Sequence, residues 1–220
     1  MKIYALSDIH GDTDAFDYAL SLIDLTQDDV KLILLGDYIH GGHDSYGVLD
    51  KIMQLEETYG KDKVLALQGN HEEMAIYGTW PVSEEGRDDE RDRIYLEWME
   101  KLPLYHVEGN TIFVHAGIDE DAGDAWEFST AEETFLGKFP AETGRIEGIS
   151  EKVVAGHVYT SEISGDDRFH GIYYDGESHY YIDGMVHVSG EIPVLMVDTE
   201  LDKYYTVTEN GIWEIEPYEE

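Results

Sequence analysis

Five short polar clusters punctuate the chain, each where an apolar run ends and each pairing a metal-capable residue with a nearby glycine. They are Ser7-Asp8-Ile9-His10-Gly11-Asp12, Leu35-Gly36-Asp37-Tyr38-Ile39-His40, Gln68-Gly69-Asn70-His71-Glu72, Val114-His115-Ala116-Gly117 and Ala155-Gly156-His157. Imidazole mixed with oxygen donors suits Mn, Fe or Zn better than Mg or Ca. Hydrolysis of a phosphate ester needs a hydroxide at neutral pH and cations to take up charge on the phosphoryl oxygens. Two metal ions about 3.5–4 Å apart supply both, and a bridging carboxylate is the natural way to hold them. Asp8 and His10, two residues apart in a turn, can reach one ion. His71 adjoins a candidate ligand and titrates near neutral pH, which suits a general acid. The glycines let the backbone turn sharply and come close to a phosphate.

The clusters need strands to aim them. Residues 1–7, 31–35 and 63–67 read as strands, separated by amphipathic helices. Asp12 or Thr13 caps the first helix, with Phe16, Ala19, Leu20 and Ile23 inward. Asp44 or Ser45 opens the second, with Val48, Leu49, Ile52, Met53 and Leu55 inward. The stretch 84–93 is almost wholly charged and reads as an exposed insertion. It leads into a helix carrying Ile94, Tyr95, Trp98 and Met99 that stops before Pro103. Further on the pattern is mostly β: 111–114, 152–155, 180–182, 192–197, and 203–215 broken by Asn210-Gly211, a hairpin signal. The expectation is an α/β fold, one domain over 1–220, in which layered sheets are flanked by helices. Ligands in such folds gather beyond the carboxyl ends of the strands.

In order and spacing, the five clusters closely resemble the calcineurin-like metallophosphoesterase superfamily, in particular its serine/threonine protein phosphatase-like branch. That family carries D-x-H, G-D-x-x-D-R-G, G-N-H-E, H-A-G and G-H in this order, and the resemblance covers residues 1–199. It implies a β-sandwich flanked by helices (α-β-β-α) with a dinuclear centre at the C-terminal strand ends. It implies that Asp8 and His10 hold the first ion, that Asp37 bridges, and that Asn70, His115 and His157 hold the second. It also implies that His71 protonates the leaving-group oxygen. Manganese is the first expectation for the metal pair, with iron or zinc as alternatives.

The second motif departs from the family. Where the family has Asp-Arg, this chain has His40-Gly41. The family's Asp orients the catalytic histidine and its Arg grips the phosphate, a clamp that glycine cannot supply. His40 and His43, cationic when protonated, are the candidate replacements, with Asn70 as a further substrate contact. The family's later Trp-x-Arg has its nearest match at Phe135-Leu136-Gly137-Lys138, and Lys138, Arg145 and Arg168 are other possible phosphate contacts. The aromatic-rich segment from Phe169 to Tyr181 reads as strand packing.

Composition narrows the partners. Fourteen basic residues against 49 acidic ones give a formal charge of −35 over 220 residues. Such a surface repels nucleic-acid phosphates and anionic lipids, so neither a nucleic-acid nor a membrane partner is expected. With no cysteine, any metal sits on His, Asp, Glu or Asn. No apolar run reaches a membrane-spanning length, and the start of the chain lacks the apolar stretch of a signal peptide, so a cytoplasmic location is expected. The leading expectation is hydrolysis of phosphomonoesters, on a phosphoprotein or a small molecule. The alternatives are a diadenosine tetraphosphate-type hydrolase and a non-catalytic metal-binding derivative. The oligomeric state stays open.

Overall fold

Alternation along the central strands dictates the layering. In the first strand, Ile3 and Ala5 face one side and Tyr4 and Leu6 the other, and all four are buried. Strands buried on both faces need a layer above and a layer below. The computed structural model of the chain, which describes residues 1–84, 86 and 88–219, has four such layers.

The first sheet holds β1 (Lys2–Leu6), β2 (Val30–Leu34) and β3 (Val64–Ala66). The second gathers β4 (Tyr105–Glu108), β5 (Thr111–Val114), β6 (Lys152–Tyr159), β7 (Tyr173–Tyr174) and β8 (His179–Asp183). The chain then returns to the first sheet through β9 (Val194–Asp198), β10 (Lys203–Thr208) and β11 (Gly211–Glu214). The strand orders are β11-β10-β9-β1-β2-β3 and β4-β5-β6-β8-β7. Both sheets are mixed: β1, β2 and β3 run parallel, as do β5, β6 and β8, while β9, β10 and β11 in the first sheet and β4 and β7 in the second pair antiparallel.

Between the sheets lie Ile3, Ala5, Ile33 and Leu35 against Phe113, Val154, Tyr180 and Ile182. The outer face of the first sheet packs on α1 (Thr13–Ser21), α2 (Ser45–Tyr59), α3 (Asn70–Ile76) and α4 (Asp89–Met99), through Phe16, Val48, Leu49, Ile52, Ala75, Trp98 and Met99. The outer face of the second is covered by a 3-10 turn (Glu120–Ala125), α5 (Trp126–Ser129) and α6 (Glu132–Gly137), with Trp126 and Phe135 inward. Two short helices follow, α7 (Thr160–Ser164) and α8 (Val186–Ser189). Asp12 and Asp44 cap α1 and α2 by accepting from Ala15 N (3.0 Å) and Gly47 N (2.7 Å), each satisfying an orphan donor of the first turn.

The α-β-β-α architecture expected from the sequence is the one observed. Some elements differ. β4 carries no continuous apolar run because it is an edge strand with half-exposed residues. β6 continues past 155 through Gly156-His157, with a register shift against β8 between Ala155 and Tyr159. The charged stretch 84–93 is not simply an exposed insertion, since α4 begins at Asp89 and Glu84 turns back to the body of the protein. Residues 85 and 87 lie outside the described residues. Tyr174, Tyr180 and Tyr204 stack on one another at 4.2 and 4.3 Å, so this part of the aromatic segment packs strands.

Candidate metal centre

Four of the five clusters follow strand ends, the fifth lies at the irregular stretch of β6, and the strand order brings them side by side. Asp8 and His10 follow β1, Asp37 and His40 follow β2, Asn70 and His71 follow β3, His115 follows β5, and His157 lies in the irregular part of β6. The backbone is bent hard to aim them. Asp8, His10, Asp37, His40 and His157 all have φ between 49° and 72°, a region costly for residues with a Cβ. Two glycines allow the loops to interlock. A Cβ on Gly69 would collide with the backbone N and Oδ1 of Asp37, and one on Gly156 with the side chains of Ser7 and Asp8. These glycines therefore serve loop-to-loop contact.

Asp37 sits in the middle. Its Oδ1 accepts from His71 N (2.9 Å), while Oδ2 faces His115 Nε2 at 3.5 Å, His71 Nε2 at 3.8 Å and His10 Nε2 at 4.0 Å. Burial opposes ionisation of Asp37, but His115, His71 and His10 hold it down at about 2. Asp8 Oδ1 lies 3.8 Å from His10 Nε2, and its Oδ2 accepts from His157 N (3.1 Å). Asn70 Oδ1 is 2.9 Å from His115 Nε2 and 3.0 Å from His157 Nδ1.

The tautomers show what this arrangement suits. His115 Nδ1 donates to Leu35 O (3.0 Å) and His10 Nδ1 donates to His40 O (3.2 Å), so in the neutral rings each Nε2 is a bare acceptor. His115 Nε2 then confronts Asn70 Oδ1 and Asp37 Oδ2, acceptor against acceptor. Asp8 Oδ1 is buried with no hydrogen-bond partner among the described residues. A knot of facing lone pairs is repulsive unless a cation sits among them. Two groupings could hold one: His10, Asp37 and His71, and Asp37, His115 and His157. The six expected ligands thus meet in one cluster, with Asp37 common to both groupings.

His40 is placed differently from expectation. The sequence offered it as a substrate contact, but its ring is buried and both nitrogens are engaged. Nε2 donates to Pro81 O at 2.6 Å, which leaves Nδ1 as the acceptor for His71 Nδ1–H at 2.9 Å. A side chain so enclosed cannot grip a phosphate. Burial lowers the affinity of both His40 and His71 for a proton. Nor is Lys138 free to clamp: its ammonium binds Ile118 O, Glu120 and Glu142. Arg168 is exposed and paired with Asp166, and Arg145 is exposed. His43 stands at the rim, its Nε2 3.1 Å from Thr13 Oγ1. It lines a cavity of about 410 Å³ with His10, Asp12, Gly41, Gly42, Val186 and His187, a lining without Arg or Lys.

Other residues at the site had no role in the sequence reading. Glu72, wholly buried, accepts from Asp37 N (2.8 Å), Tyr38 N (2.8 Å) and Gly69 N (2.9 Å), and so ties the loops after β2 and β3 together. Burial, then the Asp37 carboxylate, pushes it up to about 8 against those donors. Its motif position was visible but its function was not, because the partners are backbone groups. His187 lies in a short helix with no motif around it, and its ring is 6.3 Å from that of His10. Asp183, at the end of β8, lies against Asp8 with one oxygen unpartnered among the described residues; burial and Asp8 raise its carboxyl well above the ordinary range.

The calcineurin-like phosphoesterase profile matches residues 1–187. The chain belongs to the calcineurin-like phosphoesterase family, whose members are metal-dependent hydrolases. It is 32% identical over 127 residues to the symmetrical bis(5'-nucleosyl)-tetraphosphatase of Nitrosospira multiformis, covering 54% of this chain and 44% of that protein. It is 29% identical over 192 residues to the protein of the same name from Acidovorax sp., covering 76% and 62%. The chain therefore spans between 44% and 62% of the length of these relatives. In fold it is similar to a cold-active protein-tyrosine phosphatase of a Shewanella species, with a TM-score of 0.67 and 16% identity, covering 98% of this chain and 80% of that one. Among the described residues no helix is long and apolar enough to cross a membrane.

Proposed function

We propose that the chain is a single-domain, dinuclear phosphoesterase located in the cytoplasm that hydrolyses a phosphoanhydride in a nucleoside polyphosphate. The observation that carries the reading is the ring of facing acceptors around Asp37, with His71 beside it. Asp8, His10 and Asp37 would hold one ion, and Asp37, Asn70, His115 and His157 the other. Manganese is the first candidate, with iron or zinc next. The bound pair would supply Lewis acidity and an ionised water near neutral pH.

The chain's own groups do the rest. Asp37 stays ionised across the physiological range. His40 receives the Nδ1–H of His71 and so fixes the ring with Nε2 toward the centre, 3.8 Å from Asp37 Oδ2. A proton held on that Nε2 is placed for the departing oxygen. His43, with its ring at the cavity rim, is the candidate phosphate contact in place of the family's arginine.

The choice of a polyphosphate over a monoester rests on the names of the relatives. A phosphomonoester is the second reading, favoured by the absence of Arg and Lys from the cavity beside His10 and by the charge of −35, both unfavourable to a highly anionic substrate. Metal-loaded protein assayed against dinucleoside polyphosphates, monoesters and diesters decides between them. A kcat/KM for monoesters above that for diadenosine tetraphosphate would refute the first reading.

A further inference from the structure

After α3 the chain folds back over the loop that follows β2, and Trp80 stands at this fold. Its ring stacks on His40 with centroids 5.1 Å apart and planes at 29°, and lies 6.3 Å from the ring of His71. The indole Nε1 donates to Glu84 Oε1 (3.2 Å), and Glu84 Oε2 accepts from Gly41 N (3.0 Å). Even so, 43% of Trp80 is exposed. Single exposed apolar residues are ordinary. This one is fixed by a ring stack and a hydrogen bond, and it is fixed beside the candidate proton donor.

We propose that Trp80 is a stacking platform for an aromatic group on the leaving-group side of the substrate, a nucleobase or an aryl ring. The direction follows from His71 and rests on the role proposed for it above. As a water oxygen bonds to phosphorus, the P–O bond to the leaving group breaks, and the proton on His71 Nε2 goes to the departing oxygen. The leaving group therefore lies on the side of His71, which is also the side of Trp80. Stacking reads a π-face without reading base identity. The platform would select for aromatic leaving groups in general, with no requirement for a cationic side chain.

The test compares wild type with Trp80→Ala and Trp80→Phe on diadenosine tetraphosphate, phenyl phosphate and trifluoroethyl phosphate at equal metal loading. Trp80→Ala also removes a neighbour of His40, so the readout is the ratio of kcat/KM on an aromatic substrate to that on the alkyl ester. That ratio falls roughly tenfold or more in Trp80→Ala and is largely restored in Trp80→Phe. A fall on the nucleotide alone identifies a nucleobase, and a fall on phenyl phosphate alone an aryl ring. An unchanged ratio on both overturns the proposal and leaves Trp80 as a prop for His40. A binding arm works without turnover: adenosine 5'-monophosphate quenches tryptophan fluorescence more in wild type than in Trp80→Phe, and ribose 5-phosphate does not. Equal quenching in the two proteins overturns a nucleobase platform, and together with an unchanged ratio on phenyl phosphate it overturns the platform altogether. A lack of hydrolysis with every substrate overturns the phosphoesterase reading instead, and the quenching still judges Trp80.

Discussion

Replacing His40 by alanine separates its two conceivable roles. The substitution removes the acceptor 2.9 Å from His71 Nδ1 and the donor 2.6 Å from Pro81 O. Leaving that carbonyl unsatisfied costs about 1–3 kcal/mol of stability. The larger effect is on His71, whose ring loses the partner that fixes its rotation and tautomer. General acid catalysis contributes about 10²–10⁴-fold. An untethered His71 keeps some of this, so kcat falls by roughly 10- to 100-fold for alkyl leaving groups, which need the proton. Nitrophenyl esters leave as stable phenolates and lose far less. KM for the alkyl esters, which do not use Trp80, barely changes, because His40 does not face the substrate. His40→Asn, whose amide oxygen can accept from His71, recovers part of the loss. The assay is kcat and KM across a leaving-group series at fixed metal content, with unfolding measured in parallel. A uniform loss across the series, or a raised KM at unchanged kcat, refutes the orienting role. The raised KM would restore the substrate clamp first read from the sequence.

Glu72→Gln should destabilise the protein by about 1–3 kcal/mol in urea titrations, because an amide NH₂ replaces a side-chain oxygen that accepts from backbone N–H. An unchanged midpoint would show that Glu72 does not tie the loops. Elemental analysis of loaded protein should find two divalent ions per chain, with Asp37→Asn losing both together and chelation lowering the Tm of wild type alone; one ion at saturation refutes the shared carboxylate. His179 is almost fully buried between Asp175 and Glu120. Burial opposes its charge, but these two carboxylates raise it to about 9. A raised pKa stabilises the fold fully below the unfolded value near 6.5, and that contribution is lost as pH climbs through 9. The fall amounts to about 3 kcal/mol, and His179→Gln should flatten the profile over that range. A wild-type profile already flat from pH 6.5 to 9 refutes the charged network.

Much of the layering was legible because it is written in alternation. Ile3 and Ala5 against Tyr4 and Leu6 already demand a layer on each side, and Asp12 and Asp44 mark where helices begin. The candidate ligands were legible because they recur beside glycines after apolar runs, in a fixed order. Most of what escaped had no periodicity and no motif. β4 is held by strand pairing, with side chains only half buried. Glu72 works through backbone amides. Trp80, Glu84 and His187 reach the centre by the way the chain folds back, which local sequence does not encode. His40 was noticed as a departure from the family, but only its neighbours Pro81 and His71 show which way its ring is turned.

The loops that carry Asp8, Asp37, Asn70 and His157 are locked together by Gly69, Gly156 and Glu72, so a change in one disturbs the rest. The segment from Trp80 to Glu84 is tied to the centre through His40 and Gly41, by polar bonds and one ring stack. Variation is therefore unequally affordable in the two regions. Changes among the interlocked loops should disturb the candidate centre as a whole, whereas those at the exposed face of the 80–84 segment should, on the role proposed for Trp80, act mainly on which substrates it takes. Divergence in substrate choice among proteins built this way should accumulate in that segment, and a directed-evolution library aimed at a new leaving group is best confined to it.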